Sequence, residues 1–313
     1  PTPRLFLPFR LQRINEEVNR VEFLSNLING ISLGSIYAII ALGYTMVYGI
    51  AKMLNFAHGD GIMVGAYVCF YATGQFGLPP AMGVLLAMVV CTALGVLIER
   101  LAYKPLRQAS SLAVLITAIG VSYFLQNAAL LCFGSDSKVF SSVVGNGSIK
   151  LFDGRLIITH VALVAVGACM VIMAVLMFFV GHTKMGKAMR ACAEDKVAAQ
   201  LMGINDNRTI ALTLAIGSAL AAVAGALYCS AYPFLMPTTG SLPGIRAFTA
   251  AVFGGIGSIP GALLGGILLG VIEIFAKAYL STQLSDAIVF AVLILVLLLR
   301  PAGLLGKAIR EKV

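Results

Sequence analysis

Apolar residues run along this chain in membrane-length blocks separated by short polar punctuation. Nine blocks stand out, at 23–51, 55–74, 81–98, 110–133, 156–180, 209–232, 243–256, 259–280 and 285–299. A helix rises 1.5 Å per residue, so about 20 apolar residues cross a hydrocarbon core of about 30 Å. The seventh block is short for a crossing and predicts a half-helix or re-entrant piece. The pattern predicts an all-α fold, a polytopic membrane helix bundle with about eight to ten membrane segments, broken or re-entrant helices among them.

One long polar island interrupts the blocks, Gly181 to Arg208. It carries Lys184, Lys187, Arg190, Lys196 and Arg208 beside Glu194, Asp195 and Asp206. So charged a stretch lies in water, and a basic excess in a short loop beside spans marks the cytoplasmic side. Within it, KAMRACAEDKVAAQLMGI is Ala-rich and helix-forming, with Met189, Cys192, Val197 and Leu201 available as an apolar side and Gly203 as a stop. Such a helix can lie across the membrane surface and enter a groove of a cytoplasmic partner. The plainer alternative is a solvated loop with incidental charges. Gly181–Ala188 nearly spells a phosphate-cradling loop, but Ala188 stands where the Mg²⁺-ligating hydroxyl belongs and a spanning helix stands where a strand belongs. No nucleotide site follows from it.

Charge places the ends of the blocks. Arg100, Lys104 and Arg107 lie between blocks three and four, five bases lie in the island, and Arg300, Lys307, Arg310 and Lys312 lie in the tail. All three groups fall inside if block seven counts as a crossing. The loop Gly134–Arg155 then lies outside, with a β-hairpin expected around Gly145-Asn146-Gly147. Its role is either docking for an external protein or plain connection. The N-terminus also falls outside, against the preference of Arg4, Arg10 and Arg13, and a tenth inserted piece there would resolve the conflict. Residues 1–22 read as an amphipathic or interfacial segment or a loose tail, and as no signal peptide.

Glycines recur at fourfold spacing in Gly257/Gly261/Gly265, Gly30/Gly34 and Gly61/Gly65, which favours close helix–helix approach. Two stretches read as helix–break–helix units, Gly43–Tyr67 and Ala247–Gly266. Irregular backbone at membrane depth needs protein or a wet cavity around it, and paired breaks point to a transport path. These units supply candidate path residues: Asn55, Phe56, His58, Gly59 and Asp60 in the first, Gly254, Gly255 and Gly257 in the second. The first group reads equally well as a turn in which Asn55 or Asp60 caps the next helix. Glu273 and Lys277 are placed to pair on one helix, and Arg246 and Asp286 fall near the outer surface as solvated charges.

Composition removes other classes. The chain is 59% hydrophobic and 11% charged, with mean hydropathy +0.96, against about a quarter charged in soluble domains. The net charge of +9 follows topology, so nucleic acid is not an expected partner, whereas membrane lipid is. Six dispersed cysteines and three dispersed histidines form no metal or disulfide pattern, and no hydrolase or metalloprotease motif occurs.

The stretches LINGISLGSIYAIIALGYTMVYGIAKMLNFAHGD, GKAMRACAEDKVAAQLMGIN and AFTAAVFGGIGSIPGALLGGILLG together resemble the H-type permease subunits of bacterial ABC importers for branched-chain amino acids. The resemblance covers about Phe23 to Val313 and implies one transmembrane domain over 23–313, with an ATPase-coupling loop at about 182–208. It implies ATPase contact through Gly186, Arg190, Ala193, Glu194, Asp195 and Gly203, with Lys187 beside them. Asn55-Phe56-Ala57-His58-Gly59 matches the family's NFAHG motif; Asp60 stands where Glu is common. The expected partners are a second permease subunit, two cytoplasmic ATPase subunits that bind ATP and Mg, and a periplasmic or extracellular substrate-binding protein. The expected setting is the inner membrane, and this chain is expected to be no enzyme and to hold no cofactor. An ion-coupled secondary transporter or channel is the competing class.

Overall fold

The structure, a computed structural model, describes residues 9–107, 109–145, 147–151 and 156–306, with backbone alone at 9–19, 111 and 151. Arg4, Asn146, Lys307, Arg310 and Lys312 lie outside the described residues. The longer helices are α1 (Phe9–Ala51), α2 (His58–Gly74), α3 (Pro80–Ile98), α4 (Ser111–Phe133), α5 (His160–His182), α8 (Asp206–Ala231), α9 (Ser241–Gly254), α10 (Ile259–Tyr279) and α11 (Ser285–Leu299). The island forms two short ones, α6 (Lys184–Glu194) and α7 (Lys196–Leu201). Each apolar block therefore lies on a helix. Among the described residues six helices are long and apolar enough to cross a membrane, and the chain is a multi-pass helix bundle.

Helix α1 is the axis of the bundle. Of its most apolar window 89% is buried, against 17% in α4 and in α5, which leaves those two on the periphery. Its closest partner is the antiparallel α10. A Cβ on Gly270 would fall 2.2 Å from the Gly34 nitrogen, and one on Gly34 would fall 2.6 Å from Ile267 Cα. The glycine stripe is thus helix packing, backbone against backbone. From Phe9 the chain is helical without a break into the first span, so no separate tenth piece precedes it among the described residues.

The basic connection after α3, the island and the described part of the tail lie at one end. Arg107, just beyond α3, pairs with Glu99 and lies 3.9 Å from Asp206 at the start of α8. Lys196 of α7 donates to the carbonyl of Ala51, the last residue of α1, at 2.9 Å. The tail closes against α9, Leu305 N donating to Gly254 O at 2.9 Å. The opposite end carries small antiparallel pairs, β1 (Lys138–Val139) with β4 (Phe234–Leu235), and β2 (Ser148–Leu151) with β3 (Leu156–Thr159). The expected outer hairpin exists one strand later than its glycines suggested. Its register sets Ser148 opposite Thr159 and Leu151 opposite Leu156.

Candidate functional site

Two helices begin inside the bundle rather than at its faces. Helix α1 ends at Ala51, with Lys52 at φ 58° as the left-handed stop. Residues 52–57 then fold back along the bundle, and α2 starts at His58. The His58 ring packs against Gly43, eight residues and about 12 Å back up α1. Gly61, in the first turn of α2, faces Ala221, which lies about 22 Å along α8 from Asp206. Helix α9 starts equally deep. Its Gly240 and Gly244 pack on Gly59, so close that a Cβ at Gly240 would sit 1.9 Å from Gly59 O. From this meeting point α2 runs toward the hairpin end and α9 toward the basic end.

Ala247–Gly266 is a helix–break–helix unit, with its break at 255–258 between α9 and α10, but the break that lies inside the bundle is at 236–240, ahead of α9. Gly255 and Gly257 have φ of 106° and 96° and form the α9–α10 turn at the basic end. Gly254 packs on Gly261, Gly255 against Gly306, and Gly257 near Gly49. The structure does not bring these three to the Asp60 region. Met236-Pro-Thr-Thr-Gly falls between the sixth and seventh apolar blocks, and only the approach of Gly240 to Gly59 reveals its depth.

Where α2 and α9 meet, polar groups from three helices converge. Gln126 of α4 donates through Nε2 to Asp60 Oδ1 at 2.9 Å and lies 3.2 Å from Ser122 Oγ and 3.3 Å from Ser241 Oγ. Asp60 is 2% exposed and His58 3%, whereas Gln126, Ser122 and Ser241 are half-buried, so the cluster reaches the surface along α4. Asp60 Oδ2 and His58 Nε2 are buried without a partner. Asn55 accepts from the Tyr103 hydroxyl at 2.6 Å, and Phe56 packs on Phe248 at 5.7 Å between ring centroids. A small cavity lined by Asn55, His58, Gly61, Leu125 and Ser218 adjoins them. Neither Asn55 nor Asp60 caps α2 through its side chain. Gln126 and Ser241 escaped sequence reasoning; a Gln inside an apolar helix was the available signal.

At the basic end the island is two helices hinged at Asp195, not one. Asp195 has φ −152° and its carboxylate accepts from Val197 N at 2.8 Å and Ala198 N at 3.1 Å, capping α7. The hinge splits the expected apolar side. Met189 and Cys192 are buried against the bundle at 0% and 1% exposed, whereas Val197, Leu201 and Met202 are 67%, 84% and 82% exposed. Burial raises the Cys192 thiol above its ordinary value, and it lowers the Lys196 ammonium, with Arg107 adding to the latter effect. Gly186 is buried because α5 and α6 meet at a corner, where its Cβ would fall 2.2 Å from Phe179 O. Ala193 faces a cavity with Met46, Gly49 and Met189. Lys187, Arg190 and Glu194 are exposed, and Gly203 stops α7 at φ 78°.

A second polar group runs from the buried Glu273 to the half-exposed Asp286. Arg246 of α9 donates to the Tyr37 hydroxyl at 3.0 Å, Glu273 at 2.9 Å and Asp286 at 2.5 Å, and Lys277 donates to Glu273 at 2.5 Å. Arg246 is not a solvated surface charge, because an arginine inside an apolar helix must find carboxylates. Glu273 is 0% exposed, and its i,i+4 pair with Lys277 is one part of this network.

Comparison with known proteins fits this architecture. The family model described as "Branched-chain amino acid transport system / permease component" matches residues 26–297. The chain is 47% identical to the high-affinity branched-chain amino acid transport system permease protein LivH of Salmonella typhimurium, over 93% of this chain and 98% of that protein. It is 45% identical to BraD of Pseudomonas aeruginosa, with the same coverage of each chain. Identity to a probable LivH of Methanocaldococcus jannaschii is 31%, over 87% of this chain and 89% of that one. With two interior-starting helices and a hinged helical island, the chain belongs to the family of permease components of branched-chain amino acid transport systems.

Proposed function

We propose that this chain is the permease subunit of an ATP-driven importer in the inner membrane, moving branched-chain amino acids or related small amino acids or amides. The observation that carries the reading is the 47% identity running through 98% of a LivH permease. Its partners in this reading are a second permease subunit, two cytoplasmic ATPase subunits and a periplasmic or extracellular substrate-binding protein. ATP and Mg²⁺ are bound by the ATPases, and this chain performs no hydrolysis.

The α6–α7 element is the coupling surface. Val197, Leu201 and Met202 form an apolar knob facing water, flanked by Lys187, Arg190 and Glu194. An apolar knob rimmed by charge suits a groove of a soluble partner. Gly186, Ala193, Asp195 and Gly203 shape that surface from beneath. Closure of the ATPase dimer moves α6 and α7, and Lys196 passes the displacement to the end of α1 and so to residues 52–57. Alternating access then requires two discrete packings, each favoured by a different nucleotide state. The path runs past the meeting of α2 and α9, beside Asn55, Phe56, His58, Gly59 and Asp60. Gly254, Gly255 and Gly257 serve the inner turn.

Reconstitution with candidate ATPase, permease and binding-protein subunits tests the reading. Leucine uptake should require ATP, the binding protein and an active ATPase. Uptake driven by an ion gradient with no ATPase bound would replace this reading with a secondary transporter.

A further inference from the structure

Asp60 poses a physical problem. Its carboxylate is 2% exposed in the interior of a membrane bundle, one oxygen is bonded to Gln126, the Ser122 hydroxyl lies beside the group, and Oδ2 makes no hydrogen bond within 3.5 Å. An isolated buried carboxylate oxygen is costly, so it calls for a donor. Among the described residues, none of the five ion pairs includes Asp60. His58 Nε2, two residues away in sequence and also buried without a partner, faces Gly43 on α1 instead.

The surroundings have the complementary sign. The N-termini of α2 and α9 abut at Gly59 and Gly240, and although the N–H groups of His58, Asp60 and Ser241 already donate to backbone carbonyls, helix N-termini carry positive dipole ends. Two such ends support the Asp60 charge and can also attract a second anionic group. A locus combining one unpartnered carboxylate oxygen with two facing helix N-termini is complementary to a zwitterion. It also reaches the surface along α4, through half-buried Gln126 and Ser241.

We propose that Asp60 Oδ2 receives the ammonium group of an α-amino acid in transit, while the abutting N-termini of α2 and α9 face its carboxylate. The site reads only the backbone charges common to amino acids, leaving side-chain choice to other components. This inference rests on the transport reading above and adds to it a substrate contact inside the permease.

Asp60→Asn keeps the shape and the bond to Gln126 but removes the charge; Asp60→Glu keeps the charge and disturbs the shape. With the reconstituted complex, leucine uptake by Asp60→Asn should fall about tenfold or more, the worth of one charge-assisted hydrogen bond. Asp60→Glu should retain most of its uptake. ATP hydrolysis stimulated by the binding protein should persist in both. Uptake undiminished in Asp60→Asn, or lowered alike in both variants, would overturn the proposal. Labelling of Asp60→Cys, in a background with Cys132→Ser, separates the two readings. A small cationic thiosulfonate should modify it, and leucine with the binding protein should slow the reaction. No modification in any nucleotide state would remove this place from the path. Protected modification together with normal Asp60→Asn uptake would keep the path and discard the ammonium contact.

Discussion

At the scale of single residues, the meeting of α2 and α9 depends on glycine. Gly240 has an ordinary φ of −82°, so its need is space rather than backbone freedom. A methyl group there meets Gly59 O at 1.9 Å, and the obstacle is backbone, which cannot rotate away. Gly240→Ala should therefore separate the two N-termini, destabilise the protein by about 1–3 kcal/mol and abolish most uptake. Gly120, on α4, has nothing within 4 Å of an added Cβ. Gly120→Ala should leave uptake intact and gain up to about 1 kcal/mol from helix propensity. Thermal unfolding in detergent compares the two; equal stability of both variants would contradict the packing described. Asp195 has a comparable local duty. As the cap of α7 it shapes the island, so a change there alters the fold of the proposed coupling surface, whereas Glu194, exposed like Asp195, caps no helix.

At the scale of elements, Lys196 joins two parts of the molecule 145 residues apart, bonding the last carbonyl of α1 from the hinge side of α7. Helix C-termini expose unpaired carbonyls and favour cations, so this bond is a cap supplied from another element. If it transmits movement, Lys196→Met should lower leucine uptake per ATP about fivefold or more, within the usual range of coupling free energies. ATP hydrolysis should persist, and Lys196→Arg should restore much of the coupling. An unchanged ratio of uptake to hydrolysis in Lys196→Met would assign the bond to stability alone. The elements themselves were largely legible in sequence. Each apolar block became a helix, because a 20-residue apolar run has few alternatives in lipid. The hinge at Asp195 was not legible, since Ala-rich sequence on both sides favours helix and the competing cap needs only one carboxylate. The depth of Ser241 was not legible either: depth is a property of packing partners, and the residues that fix it, Gly59 and Gly240, are distant in sequence. Asp60 was visible as an ionisable group at a break, but its neighbours Gln126 and Ser241 arrive from other helices.

At the scale of the whole molecule, the polar features sort by level. The basic end carries the exposed knob and the Arg107–Glu99–Asp206 cluster, the interior carries Asp60 and its neighbours, and Arg246 ties α9 to α1, α10 and α11. In the proposed coupling, a force applied at α6–α7 would reach the interior through the Lys196–Ala51 bond, α1 and residues 52–57. The central claim is that this conduit is driven by an ATPase held on the α6–α7 knob. Leu201, 84% exposed, is the residue whose change should break that grip while leaving the bundle unaltered. The direct measurement is co-purification of the ATPase subunit with Leu201→Asp, alongside ATP-driven leucine uptake by the reconstituted complex. The account predicts loss of both, with normal membrane insertion and thermal stability of the permease. A Leu201→Asp complex that keeps its ATPase and transports at the unaltered rate would contradict it.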